Sequence, residues 1–239
     1  MSVQHQSIHR LLPFLLALFI TSGVAAQNID IRVRSSYGFD GLVRPGSWTP
    51  LYLGISNLGD PIDAHLTLRV TVSPAGESGE TVQEIRDRLL LAKGENTGRR
   101  YVLPVGRGGL PVLLRIHQGG ELLLEEEILP PLRYTPDRLV VGLGTTPIEE
   151  LGRFNLAYPI VEHLPARWFA YTSIDLLVFH DPPLERLSSP QWAAIERWLR
   201  FGGRALLLPS NARTPVTERL LRGLWEAGRK ENYVEPSED

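Results

Sequence analysis

Leu139-Val140-Val141-Gly142-Leu143 is an unbroken apolar run, and the pattern of the chain differs on its two sides. A strand with one face in water alternates apolar and polar residues, whereas a strand covered on both faces does not. The run therefore predicts a buried strand of a parallel sheet. Ile174 to Phe179 is a second such run, and Ala205 to Leu208 is a third. A helix is expected between these two. Ser189 is placed to cap it, Pro190 suits its first position and Gly202 suits its end. Trp192, Ile195 and Leu199 share one face of it, with Glu196, Arg197 and Arg200 toward water. Residues 214–225 read as a further helix. Strand, helix, strand with continuous apolar strands is the pattern of a parallel α/β layer.

Upstream, the period changes to two. Ile29, Ile31 and Val33 alternate with Asp30, Arg32 and Arg34; Leu51, Leu53 and Ile55 alternate likewise. Leu66, Leu68, Val70 and Val72 alternate with Thr67, Arg69 and Thr71, and Leu110 to Ile116 and Leu122 to Ile128 add two apolar runs. Turn signals separate them at Gly38 to Gly41, Asn57 to Asp60, Pro74 to Glu77, Arg107 to Gly109 and Gln118 to Gly120. Thr81 to Leu91 fits either period, and its neighbours favour a strand. Short strands at this spacing predict a β-sandwich of Ig-like type. Arg133-Tyr134-Thr135-Pro136-Asp137 reads as the linker.

The start of the chain has the order of a secretory signal. Arg10 precedes an apolar run, Leu11 to Ile20, and small residues end at Val24-Ala25-Ala26. The run is shorter than the roughly 20 residues a membrane span needs. Cleavage is expected ahead of Gln27, placing the protein in the periplasm or cell envelope. The alternative is an inner-membrane anchor formed by residues 11–26, and membrane contact is expected only if the segment is uncleaved. Four segments follow: a signal over 1–26, a β-sandwich over 27–133, a partial α/β unit over 134–228 and a polar tail over 229–239.

Removing 26 of 239 residues leaves 213, enough for one large or two modest cores. The formal net charge of −2 offers no strong field for nucleic acid, and none is expected as a partner. There is no cysteine, which excludes disulfides, thiol nucleophiles, thiolate metal sites and a lipid attached through Cys.

The order of the two halves resembles exported bacterial proteins in which a β-sandwich precedes a domain similar to class I glutamine amidotransferases. The first half carries Tyr37 to Gly41 followed by Arg44-Pro45-Gly46-Ser47-Trp48-Thr49-Pro50. The second matches at Leu164 to Tyr171, Ile174 to Val178, Leu187 to Gln191 and Trp198 to Arg204. The resemblance implies a non-catalytic recognition or docking platform. The enzymes use a Cys on the turn after a strand, with His and Glu near the domain end. The equivalent turn here holds Pro209-Ser210-Asn211, and the sequence reaches Asp239 before the region of the His and Glu. On both grounds no glutaminase chemistry is expected, and the α/β unit is expected to be reduced or truncated, with an open sheet edge.

Several residues are candidates for a site. His180 and Asp181 end one strand, and Ser210 and Asn211 follow another. Ends of parallel strands converge on one crevice, so these four are the candidate ligand contacts. They also read as ordinary turn residues. Ser210 is the sole candidate nucleophile, with His180 as its base. Gly142-Leu143-Gly144 suggests a phosphate loop, but Thr145-Thr146-Pro147 breaks the spacing and a tight turn is expected. His65, His117, His163 and His180 lie far apart in the chain without ligand spacing, and no metal or cofactor is expected. Trp168 and Tyr171, with Phe169, are candidate surface aromatics, and Trp48 is expected in the sandwich core.

The resulting expectation is a non-enzymatic envelope protein with an interaction or assembly role, binding an envelope partner or a second copy. The alternatives are a carbohydrate- or small-ligand-binding module and a degenerate serine hydrolase.

Overall fold

The computed structural model describes residues 27–72, 81–105, 111–129, 133–134, 138–144, 155–180 and 186–208. The expected signal (1–26), Asp181, Ser210, Asn211, the helix over 214–225 and the tail over 229–239 lie outside the described residues.

The first half is built from antiparallel strands. β1 (Ile31–Tyr37), β3 (Trp48–Asn57) and β6 (Asn96–Pro104) form one sheet in the order β1-β3-β6. β4 (Ile62–Val72), β5 (Thr81–Leu91), β7 (Val112–Gln118) and β8 (Glu121–Ile128) form another in the order β5-β4-β7-β8. Alternate residues of both sheets meet in one core: Leu51, Leu53, Ile55 and Leu103 from the first, and Leu66, Leu68, Leu89 and Leu114 from the second. Thr81 to Leu91 is a strand, paired residue by residue with β4 from Ile62↔Leu91 to Val72↔Thr81. The turn at Asn57 is organised by a wholly buried side chain. Asn57 Nδ2 donates to the carbonyl of Asp60 at 2.8 Å, and its Oδ1 accepts from the Gly59 N–H at 3.1 Å.

The second half is a parallel sheet. β10 (Leu139–Gly144), β11 (Asn155–Ala157), β12 (Leu176–His180) and β13 (Ala205–Leu208) lie in the order β11-β10-β12-β13. β10 is buried along almost its whole length, as its apolar run requires. Two 3₁₀ helices, Val161–His163 and Trp168–Ser173, lead from β11 to β12. α1 (Ser189–Arg200) leads from β12 to β13. Trp192 of α1 lies parallel to Phe179 of β12 at 6.5 Å, and Ile195 and Trp198 are buried against the same core.

Four local expectations are corrected. Ser188, not Ser189, caps α1: its N–H and hydroxyl both donate to Gln191 Oε1, at 2.9 and 2.8 Å. Gln191 is buried and donates on to the carbonyls of Val161 and Leu164, so the cap is fixed by the contact between helix and loop. Gly142 and Gly144 lie inside β10 and not in a turn; a Cβ on Gly142 would stand 2.4 Å from the Tyr158 ring, so the glycine makes room for that ring. Trp48, expected in the core of the first half, starts β3 with 41% of its surface exposed, outside the core between the two antiparallel sheets, because the next three residues are buried and leave it at the rim. Arg133–Tyr134, expected as linker, forms β9 and pairs in parallel with β2 (Leu42–Val43).

That pairing brings a loop of the first half into the second. Phe39 and Leu42 are buried among Leu139, Val141, Tyr171, Ile174 and Trp198, with the Phe39 ring 6.0 Å from Tyr171. Burying a side chain of this size stabilises by about 1.5–3 kcal/mol. No helix among the described residues is long and apolar enough to cross a membrane.

Candidate functional site

Of the four expected crevice residues, His180 alone is described. It ends β12 opposite Gly144 of β10 and Leu208 of β13. In the order β11-β10-β12-β13 the chain steps from one side of β10 to the other, so His180 stands beside the switch point, where open parallel sheets hold ligands. Its Nδ1 is buried and finds no hydrogen-bond partner among the described residues.

The four histidines are not all distant in space. His65 of β4 and His117 of β7 face each other in register. Among the described residues no three His, Asp or Glu side chains gather where they could hold a metal ion.

The aromatic candidates divide. Tyr171 is not a surface residue: it is wholly buried between Phe39 and Trp198, and its hydroxyl donates to the Pro165 carbonyl at 2.9 Å. Burial holds that phenol far above its usual range. Trp168 and Phe169 are half-buried and form the middle of a chain of four rings. Trp48 meets Phe169 edge-on at 5.2 Å, Phe169 meets Trp168 at 6.1 Å, and Trp168 stacks on Phe201 at 4.8 Å. Phe201 is 65% exposed. The Arg197 guanidinium lies over both Trp168 and Phe201, at 5.5 and 5.8 Å from their centroids, within range of cation–π attraction. Trp48 comes from the antiparallel half, so the rings cross from one half to the other. Phe201 and Arg197 carried no signal as site residues. Arg197 reads from the sequence as a water-facing helix position, and Phe201 stands just before Gly202, the expected helix end.

Three further contacts fix the two halves together. Arg44 Nη2 pairs with Asp175 Oδ2 at 2.5 Å, and the Leu139 N–H donates to the same oxygen at 2.8 Å. Burial acts to raise the Asp175 carboxyl, but the bonds from Arg44 and Leu139 and the charges of Arg44 and Arg138 outweigh it and hold it below the usual carboxylate range. Tyr52 and His163 stack with centroids 3.8 Å apart. Arg100 Nε donates to the Glu162 carbonyl at 2.7 Å, and Arg186 holds the Glu162 carboxylate. Burial, with the charge of Arg100, lowers the His163 imidazole below its ordinary value against the opposing pull of Glu162.

A family model described as a domain of unknown function (DUF8726) matches residues 30–130, the span of the two antiparallel sheets. No curated protein matches the chain. Among solved structures, a β-glucosidase from Listeria innocua in complex with isofagomine is similar at 12% identity and a TM-score of 0.30; the match covers 42% of this chain and 16% of that one. The alkylpurine DNA glycosylase AlkC of Pseudomonas fluorescens matches at 14% identity and a TM-score of 0.27, over 43% of this chain and 30% of that one. The ApaA protein of Bordetella pertussis matches at 17% and 0.27, over 44% of this chain and 98% of that one. The chain thus spans about a sixth of the length of the β-glucosidase. Likenesses this slight carry no functional argument.

Proposed function

We propose that this chain is a non-enzymatic protein of the cell envelope, an Ig-like β-sandwich joined to an amidotransferase-like unit, whose role is to dock a partner. The carrying observation is the chain of rings Trp48, Phe169, Trp168 and Phe201, which runs across both halves and remains exposed at its ends. Clusters of Trp, Phe and Arg are the composition of binding hot spots, and exposed apolar patches commonly mark interaction sites. The contacts between the halves support the same role, because a rigid surface loses little freedom on binding.

The test is a photocrosslinking residue placed at Phe201 in the full chain, expressed in its own cells. A defined adduct in the envelope fraction is the expected result. A free chain in the cytoplasmic fraction, or equal adducts from a probe at the distant exposed Val82, would remove the reading.

A second reading, a small-ligand site at the sheet crevice, draws on the buried Nδ1 of His180, which has no partner among the described residues. Screening a metabolite library by saturation-transfer NMR on the native chain and on His180→Gln tests it; signals that are the same for both chains would reject it.

A further inference from the structure

We infer that the partner of the ring surface is an acidic protein segment carrying an apolar anchor, and that Arg197 and Phe201 are its principal contacts. The inference rests on the docking reading above and names the chemistry of the occupant.

Positive charge predominates in the segments that carry Trp168, Phe169 and Phe201, with Glu196 the neighbouring acid on α1. Residues 164–173 and 197–208 hold Arg167, Arg197, Arg200 and Arg204 and no carboxylate. All four arginines are exposed. Seven ion pairs form among the described residues, and none of them involves these four. Elsewhere on the chain several arginines find acids, among them Arg88 with Asp63, Arg115 with Glu125 and Arg186 with Glu162. Arg34 and Arg69 are also exposed without an ion pair among the described residues, but they stand singly on β1 and β4, whereas these four gather on the two segments that carry Trp168, Phe169 and Phe201.

Arg197 is also held in place. A guanidinium resting on two rings keeps its N–H groups for an acceptor in its own plane, and a carboxylate is the acceptor that matches it in two-point geometry. Because the rings restrict the side chain beforehand, less freedom is lost when the acid arrives.

The Phe201–Trp168 stack covers one face of each ring and leaves Phe201 65% exposed, so it is the unpaired arginines beside the rings that favour an acidic segment over a neutral sugar. What Phe201 leaves open suits an apolar side chain, with acids on either side facing Arg197 and Arg200.

The experiment is selection of a random ten-residue peptide library on the full chain, followed by affinity measurements on Arg197→Gln and Phe201→Ser. Both positions are exposed, and thermal unfolding of each variant checks that the fold is retained. The expected result is enrichment of Asp and Glu together with an aromatic residue or Leu. Affinity should fall at least tenfold in each variant and decline with added salt. Retained peptides without acidic residues would overturn the inference, as would no retained peptide at all. Acidic peptides that bind both variants normally would also overturn it, while leaving a docking role elsewhere on the chain intact. Binding of soluble glycans, or self-association, that is lost in Phe201→Ser would assign the surface to a sugar or a second copy instead.

Discussion

Tyr52 and His163 stack at 3.8 Å with 17° between their planes, one on the outer face of an antiparallel strand and the other on a loop of the parallel half. The stack needs a glycine. Gly98 lies beside Gly54 in the pairing of β3 and β6, and a Cβ on Gly98 would stand 2.7 Å from the Tyr52 hydroxyl. The bare backbone there lets the tyrosine ring lie flat on the sheet, where the imidazole can cover it.

Gly98→Val should therefore destabilise the chain by about 1–3 kcal/mol, the usual cost of forcing volume into a filled site. Tyr52→Ala should relieve most of that cost, since the obstructing ring is gone. Urea unfolding of the two single variants and the double variant measures the coupling. Additive losses would show that Gly98 acts independently of Tyr52.

Stability should fall on acidification in two steps. His163 is held below its ordinary value, so it contributes fully above about pH 6.5 and its contribution is lost as pH falls through the lowered value. Asp175 is also held low, so its contribution is present above the ordinary carboxylate range, near 3.9, and is lost at lower pH still. His163→Gln should flatten the upper step and leave the lower one. Unfolding curves across pH 3–8 at fixed salt read both.

Asp175→Ala should cost more than Asp175→Asn. The amide can still accept from the Leu139 N–H, whereas alanine removes the oxygen that both that N–H and the Arg44 guanidinium use. Equal losses in denaturant midpoints would mean that charge, not the shared oxygen, dominates.

Phe39→Ala should cost about 3–5 kcal/mol, as for other large buried rings. The loss should lower the unfolding of both halves together, because Phe39 is chain of the first half and core of the second. Tryptophan fluorescence and far-UV circular dichroism should trace one transition. Two separate transitions would show that the halves unfold independently.

Asn57→Ala should cost about 1–3 kcal/mol, because the buried amide ties the Asp60 carbonyl at the β3–β4 turn to the Leu91 and Ala92 carbonyls at the end of β5. A denaturant titration of the single variant measures it.

Strands with one dry face were legible in the sequence, and those without were not. β4 shows itself through Leu66, Leu68 and Val70, whose burial repeats with period two. β6 went unseen because its inward positions include Thr97, Arg99 and Tyr101. Arg99 and the Tyr101 hydroxyl reach Asp87 on the other sheet, so polar groups close the rim where apolar ones were sought. β11 has three residues, too few to show any period. The aromatic candidates failed in a different way. A cluster of rings announces packing, but nothing in Trp168-Phe169-Ala170-Tyr171 says that Tyr171 points inward and the others outward. That distinction comes from Phe39, far away in the chain. Arg197 was legible as exposed, but the rings beneath it depend on how the 3₁₀ segment lies against α1.

The burial of Phe39 and Leu42 has a consequence for how the chain is made. Residues 27–128 complete two sheets and their own core, yet these two side chains have nowhere to go at that point. Their covering includes Ile195 and Trp198, so they wait until α1 has left the ribosome. At about 5–20 residues per second the wait is roughly four to fourteen seconds. For that interval a nearly finished first half displays a phenylalanine and a leucine on a short loop. A chaperone acting on the nascent chain would find its binding site there, and a stall in translation after Ile128 would leave a folded but adhesive half-protein.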